Sequence, residues 1–205
     1  MDAASPRVTN APLPGILDVI VFSSAAALCV VIVATMRIFD VFRPEGVAVR
    51  MPLTNAPARF ELEGTDAVRE HVATSATLLV PGVETGALVA FAASIAIAAA
   101  GALVVLGALI RIALAFRAGQ IFTSTTTRAL TLIGGTVFAA ACGVLLTDAL
   151  GRSGACAALG IPYEPIHMLD LVPYAPVWAV AIAVGLIAAA FERGQRMQRD
   201  TEGLV

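Results

Sequence analysis

Lysine is missing from this 205-residue sequence, and charged residues of all kinds make up only 14% of it. All 13 basic residues are arginine, and 15 acidic residues leave a net charge of −2 at pH 7. A nucleic-acid-binding domain needs a patch of positive potential to neutralise phosphates, and this charge balance does not supply one. The sequence therefore predicts no direct nucleic-acid partner.

Cysteine is also scarce. The three cysteines stand far apart, at Cys29, Cys142 and Cys156, and no CxxC pair occurs. A zinc ribbon or a dithiol redox site needs closely spaced cysteines, so neither is encoded. Cys142 falls inside an apolar stretch and Cys156 outside it, which disfavours a disulfide between them. We expect Cys29 and Cys142 to pack as small apolar groups.

Histidine occurs only at His71 and His167, both outside the apolar stretches. His167 and Asp170 are spaced so that they could share a metal ion with His71 or Glu70. Zinc sites use three or four ligands in a fixed geometry, and this set is too small to define one. The sequence therefore predicts no metal site and no cofactor.

Long apolar stretches dominate what is present. Hydrophobic residues make up 59% of the chain, more than a soluble domain contains. A helix needs about 20 apolar residues to cross the hydrocarbon core of a bilayer. Four stretches meet this length, at 16–36, 87–116, 129–148 and 172–192. The sequence thus predicts an all-α integral membrane protein with four transmembrane helices.

Arginine in the short flanks predicts the orientation, because cytoplasmic loops carry an excess of basic residues. Two arginines and no acidic residue lie in the link at 117–128, and three arginines lie in the tail at 193–205. We therefore expect the link, the tail and residues 1–15 to lie in the cytoplasm of a plasma membrane. The segments at 37–86 and 149–171 are then extracytoplasmic.

The first outer segment is too long for a simple turn. Apolar residues alternate with others at 47–53 and again at 60–62, which is typical of β-strands. Because an isolated hairpin is marginal in water, we expect a small β-rich extracytoplasmic cap between helices 1 and 2. A sensing or docking surface and a lid over the helix ends are both consistent with it, and we favour the lid. The second outer segment is rich in proline and is expected to be irregular.

The cytoplasmic link ends in a run of hydroxyl residues. Thr123 or Ser124 is placed to cap the N-terminus of the third helix, where a hydroxyl accepts a hydrogen bond from an unpaired backbone N–H. A helix N-terminus also attracts anions, so phosphate binding is an alternative. No glycine-rich cradle accompanies the run, and capping is the preferred interpretation.

Two short strings resemble motifs of a bacterial family of small membrane proteins, domain-of-unknown-function family 2975. The first is Gly119-Gln120-Ile121-Phe122-Thr123, followed by Leu130, Ile133 and Gly134; the second is Phe191-Glu192-Arg193-Gly194 near the end of the chain. The family usually has asparagine where Thr126 stands here. The resemblance implies four spans with a longer first outer loop. It also implies a partnership with a helix-turn-helix regulator, and no biochemical activity.

Small residues recur every fourth position on three of the predicted spans, a spacing that lets helix backbones approach closely in lipid. The positions are Thr131, Gly135, Ala139, Gly143 and Thr147 on the third span, Ala181, Gly185 and Ala189 on the fourth, and Ser94, Ala98 and Ala102 on the second. We expect these stripes to pack the second, third and fourth helices within one chain. Homo-oligomerisation through the stripe is the alternative.

The predicted spans contain few residues that could bind an ion or catalyse a reaction. Asp18, Arg111 and Asp148 lie near span ends and not at the midplane, where a proton- or ion-coupled transporter normally has an ionisable residue. The serines in the spans have no histidine in reach, so no hydrolase site is encoded. We expect a non-enzymatic accessory or regulatory protein that acts through the link and the tail, with the lipid bilayer, a cytoplasmic regulator or another membrane protein as partners. A small oligomeric transporter or channel is the alternative.

Overall fold

The computed structural model of the protein describes residues 15–61, 68–119, 123–162 and 168–202. Its elements follow in the order α1 (Ile16–Val41), β1 (Val47–Glu61), β2 (Val68–Val80), α2 (Thr85–Arg117), α3 (Ser124–Ala158), a 3₁₀ helix (Met168–Tyr174) and α4 (Ala175–Glu202). Within the described ranges, four helices are long and apolar enough to cross a membrane. They correspond to the four predicted spans.

Three helices extend well beyond the predicted spans. α1 continues to Val41, α3 begins at Ser124 and continues to Ala158, and α4 continues to Glu202. Residues 149–158, predicted as part of an irregular outer loop, are therefore helical. The prediction placed each boundary where apolar residues end, whereas a helix also continues through polar residues that pack or pair along its side, as Asp148 and Arg152 do at 2.7 Å.

The two strands form one antiparallel hairpin, in which Val47 pairs with Val80 and Glu61 with Val68. The register shifts between Pro52 and Ala56, where three residues of β1 lie opposite one residue of β2. Proline has no N–H to donate, and the two extra residues of β1 are accommodated as a bulge. The residues expected to be strands at 47–53 and at 60–61 are thus parts of β1, and residue 62 lies outside the described residues. β2 was not predicted, because alanine, serine and threonine dilute its apolar alternation.

The chain folds as two compact units. The first comprises Met1–Val33, Ile97–Cys142 and Met168–Val205, and the second comprises Ala34–Ala96 and Gly143–His167. In the first unit, Ala108, Ala129 and Ile133 form the buried apolar cluster, and Val137 and Val184 pack against it. This cluster joins α2, α3 and α4.

The second unit is built around a cluster of buried apolar residues. They are Val41, Val47, Val49, Val80, Phe91 and Ala155. Gly46 has a φ of +111°, and a Cβ there would lie 2.7 Å from the Val80 carbonyl oxygen. Glycine therefore allows the chain to leave α1 and enter the hairpin without a clash. The base of the hairpin is packed against helices and does not stand alone.

Glycines also bring α2 and α3 together in the second unit. A Cβ on Gly151 would lie 2.7 Å from the Phe91 ring, and one on Gly154 would overlap the Ala87 Cβ. Neither position has room for a side chain. The close approach of these two helices depends on both glycines.

In the first unit, the helix faces that pack differ from the predicted ones. Gly134 is buried, and a Cβ on it would lie 3.2 Å from the Ala181 carbonyl oxygen and 3.6 Å from the Gly185 nitrogen. Gly135 and Ala139 are exposed, so the prediction that they pack within the chain is wrong. Ala181 is buried and lies against α3, as expected. Gly185 is exposed, and only its backbone nitrogen lies near Gly134.

The α2 and α4 stripes are corrected in the same way. Gly101 makes the contact with α3, since a Cβ on it would lie 2.8 Å from the Ala140 Cβ. Ala98 is exposed, and in α4 Ala188 is buried while Ala189 is exposed. Small residues surround these alanine-rich helices on every side, so a spacing of four does not determine which face is buried.

Candidate functional site

The start of α3 is capped by its own side chains. The Thr126 amide donates to Thr123 Oγ1 at 3.4 Å, and the hydroxyls of the two residues lie 3.2 Å apart. Thr126 is 1% exposed. The predicted cap is confirmed at Thr123, with Ser124 as the first residue of the helix. A phosphate at this position would compete with a hydrogen bond that the chain already makes.

One contact joins the end of the predicted link to the tail. Gln195 Nε2, in α4, donates to Thr127 Oγ1, in the first turn of α3, at 2.6 Å across 68 residues of sequence. Both side chains are half-buried. Threonine placed one turn into a helix presents its hydroxyl sideways, where a neighbouring helix can reach it. The link and the tail, which are separate segments of the sequence, are therefore in contact in the structure.

Arginines flank this contact in the sequence. Arg128 and Arg193 are exposed, and neither makes an ion pair with a residue that the structure describes. Arg196 is exposed and pairs with Glu192 at 2.6 Å. We call Thr127, Arg128, Arg193, Gln195 and Arg196 together the link–tail surface. The hydrogen bond from Gln195 to Thr127 joins its two segments, and Arg193, two residues before Gln195, lies on the side of α4 away from that contact. The surface combines a fixed hydrogen bond with unpaired positive charge, which suits an acidic protein or an anionic lipid.

The residues of the first family-like motif have different structural roles. Gly119 ends α2 with a φ of +74°, and its amide donates to the Phe116 carbonyl oxygen at 3.0 Å. Leu130 is half-buried, and Gly134 packs against α4. Phe122 lies outside the described residues. The motif therefore combines a turn, a helix cap and a helix–helix contact.

The second motif lies on α4. Phe191 and Gly194 are half-buried, and Arg193 between them is exposed. Arg193 thus faces away from the positions that pack. Its side chain is available to a partner, whereas its neighbours are partly covered by the chain itself.

The outward-facing part of the α3 stripe lines an open groove of about 540 Å³. Thr131, Gly135 and Ala139 are exposed, and nothing lies within 4 Å of a Cβ built on Gly135. Gly143 is half-buried, and its carbonyl oxygen accepts from the Thr147 hydroxyl at 2.8 Å. Within one chain the groove has no packing partner among the described residues, so the homo-oligomer alternative stays a prediction.

The other candidate chemistry is only partly within the described structure. The side chains of His71, His167, Glu70 and Asp170 lie outside it. Among the residues it does describe, no three histidine, cysteine or acidic side chains lie close enough to hold a metal ion. The three cysteines are free thiols. The Ser24 and Ser94 hydroxyls donate to backbone carbonyl oxygens of their own helices at 2.8 Å.

Comparison of the chain with family models, with curated proteins and with solved structures gives no match in any of the three. The resemblance to family 2975 therefore rests on the two motifs and stays a prediction. Sequence reasoning identified both halves of the link–tail surface but missed Gln195. A glutamine among arginines in a tail was the only signal, and it does not identify a partner 68 residues away.

Proposed function

We propose that this protein is a multi-pass protein of a bacterial plasma membrane, with both termini in the cytoplasm. It acts as a non-enzymatic accessory or regulatory protein through the link–tail surface. The hydrogen bond between Gln195 and Thr127 carries the proposal, because it holds the two arginine-bearing segments in one fixed arrangement. A surface of this kind can bind a cytoplasmic regulator or the cytoplasmic part of another membrane protein.

The proposed orientation supports this assignment. The arginine-rich link and tail satisfy the positive-inside rule only if both are cytoplasmic. Helices α1 to α4 then account for four crossings, and the N-terminal segment lies on the same side as the tail. The link–tail surface is then accessible to cytoplasmic proteins.

Affinity purification of the tagged protein from its native membrane in mild detergent, with mass spectrometry of the co-purified proteins, tests the regulatory role. We expect one reproducible cytoplasmic or membrane partner. The double variant R128Q/R193Q should reduce its recovery about fivefold or more, because each lost charge contact is worth up to about 1 kcal/mol.

R111Q is the matched control, since Arg111 is an exposed arginine on α2, outside the link and the tail, that makes no ion pair with a described residue. It should leave recovery unchanged. Deletion of residues 194–205 should abolish recovery. If the wild-type protein is repeatedly recovered without a partner, the proposed function is wrong.

A small oligomeric transporter or channel is the second candidate. One observation favours it, namely the exposed groove along Thr131, Gly135 and Ala139. Small residues on an unpacked helix face allow close approach of a second copy in lipid. A pore between copies would then form without an ionisable residue at the midplane of one chain.

A further inference from the structure

The second unit contains a cavity of about 470 Å³. Residues from the end of α1, both strands, the start of α2 and the end of α3 line it. Its floor includes the buried side chains of Val41, Val47, Val49 and Phe91. Small-molecule sites typically measure about 300–1,000 Å³ and are mostly apolar with a few polar groups. The size and the floor are those of a binding site for a partly apolar molecule.

Charged side chains line the same cavity. They are Arg37, Asp40, Arg43, Glu45, Asp148 and Arg152. Four of them form two ion pairs within the chain, Asp40 with Arg43 at 2.9 Å and Asp148 with Arg152 at 2.7 Å. Their charges are already compensated, so they do not call for a charged ligand.

Arg37 and Glu45 are the two charged lining residues that belong to neither ion pair. Neither makes an ion pair with the other or with any other residue that the structure describes. Both are exposed while lining the cavity. The cavity therefore offers one uncompensated positive charge and one uncompensated negative charge. A ligand with a single charge would satisfy only one of them, whereas a zwitterion complements both.

The position of the cavity indicates the source of the zwitterion. Arg37 and Ile95 belong to helices that are apolar enough to span a membrane, whereas Glu45 and Gly46 lie beyond the end of α1. The cavity thus includes the last residues of a candidate span and the first residues outside it. In a bilayer this is the depth at which phospholipid head groups meet acyl chains.

We infer that the cavity binds a zwitterionic phospholipid with a primary ammonium group, of the phosphatidylethanolamine class. The phosphate lies at Arg37, the ammonium at Glu45, and the upper part of an acyl chain lies against the Val41–Phe91 floor. This inference rests on the membrane insertion in the proposed function and not on the regulatory role. It assigns the second unit a lipid-binding site.

Native mass spectrometry of the full-length protein in detergent tests the inference. Phosphatidylethanolamine and phosphatidylglycerol with identical acyl chains are titrated separately. We expect the first lipid to bind about fivefold more tightly, because phosphatidylglycerol has a phosphate for Arg37 but no ammonium for Glu45.

The two charge variants separate the two contacts. E45Q should remove the preference for phosphatidylethanolamine and leave phosphatidylglycerol binding unchanged. R37Q should weaken both lipids about fivefold. R117Q is the control, since Arg117 is an exposed arginine at the end of α2 that does not line the cavity.

Four results would overturn the inference. The first is equal binding of the two lipids by the wild-type protein. The second is a preference that survives E45Q. The third is an effect of R117Q as large as that of R37Q. The fourth is displacement of the lipid by free leucine, which carries both charges without acyl chains and would make the site one for a soluble amino acid. None of these measurements involves the link–tail partner, so the two proposals fail independently.

Discussion

At the scale of single residues, the hydrogen bond from Gln195 to Thr127 is the contact on which the link–tail surface depends. It is 2.6 Å long and half-buried. Hydrogen bonds of this kind contribute about 1 kcal/mol net, and leaving one partner unsatisfied costs more than removing both. The contact therefore has a measurable signature in a double-mutant cycle.

T127V and Q195L should each lower the free energy of unfolding by about 1–2 kcal/mol, and the double variant should lose less than the sum. Thermal unfolding of the purified protein in detergent measures the three values. T131V is the control for T127V, because the exposed Thr131 hydroxyl donates to the Thr127 carbonyl oxygen within its own helix and not to another helix among the described residues. Additive losses in the double variant would show that the two side chains do not interact.

Residue-scale features that depend on near neighbours were predictable from the sequence. The Thr123 cap follows from a hydroxyl residue placed before a helical stretch, and the structure confirms it. The pairing of Gln195 with Thr127 depends on which turn of α4 meets which turn of α3. That register is set by the packing of Gly134 on Ala181 and Gly185, and no local pattern in the tail reports it.

At the scale of helices, the adjacent glycines Gly134 and Gly135 allow a packed and an unpacked position to be compared on the same helix. They are adjacent on α3, yet one faces α4 and the other faces outward. Sequence spacing selected Gly135, because it lies in a regular series of small residues. In the structure Gly134 is the glycine that packs against α4. The larger side chains of Ile133 and Val137, which pack beside it, determine which face of α3 is buried.

G134L should separate α3 from α4 and lower stability by about 2–3 kcal/mol, as overpacked cores do. G135L should leave the stability of the monomer within about 0.5 kcal/mol, as for a surface substitution. Thermal unfolding distinguishes the two variants. A loss of stability in G135L as large as that in G134L would show that both faces are packed.

G135L also tests the second candidate function. If copies associate through the exposed groove, this variant should abolish oligomers in detergent and solute flux in liposomes. G107L is the control, because Gly107 is an equally open glycine on α2. Flux that persists in G135L would exclude the groove as the interface between copies.

The strands show a different limit of sequence reasoning. Alternation predicted strand structure at 47–53 and 60–62, and both ranges fall in β1 as far as the structure describes them. The bulge between Pro52 and Ala56 interrupts the alternation, so one strand looked like two. Pairing with β2 is a long-range contact, and the small residues of β2 give it a weak pattern.

At the scale of the whole molecule, hydropathy predicted four apolar helices, and the structure has four within its described ranges. Length and composition carry this result, since a stretch of about 20 apolar residues has few other stable arrangements. The boundaries were less predictable. They depend on ion pairs and tertiary contacts at the helix ends, such as those of Gly151 and Gly154 with α2.

The proposed orientation gives a direct prediction for the two ends of α3. In a variant without native cysteines, L159C should react with a membrane-impermeant maleimide in intact cells, and T125C should react only after permeabilisation. Both positions are exposed. The opposite labelling pattern would invert the topology and place the link–tail surface outside the cell.

The length of α3 has a consequence for how its contacts respond to the surroundings. Its 35 residues measure about 52 Å along the axis, against a hydrocarbon core of about 30 Å. In a bilayer, part of this single helix would lie in the hydrocarbon core and part in water. Contacts in the hydrocarbon, such as that of Gly134, depend on van der Waals packing and on the lipid phase. Contacts made by the part of α3 that extends into water depend on the hydrophobic effect, which weakens on cooling. One helix would therefore loosen at one end when the lipid changes and at the other when the temperature falls.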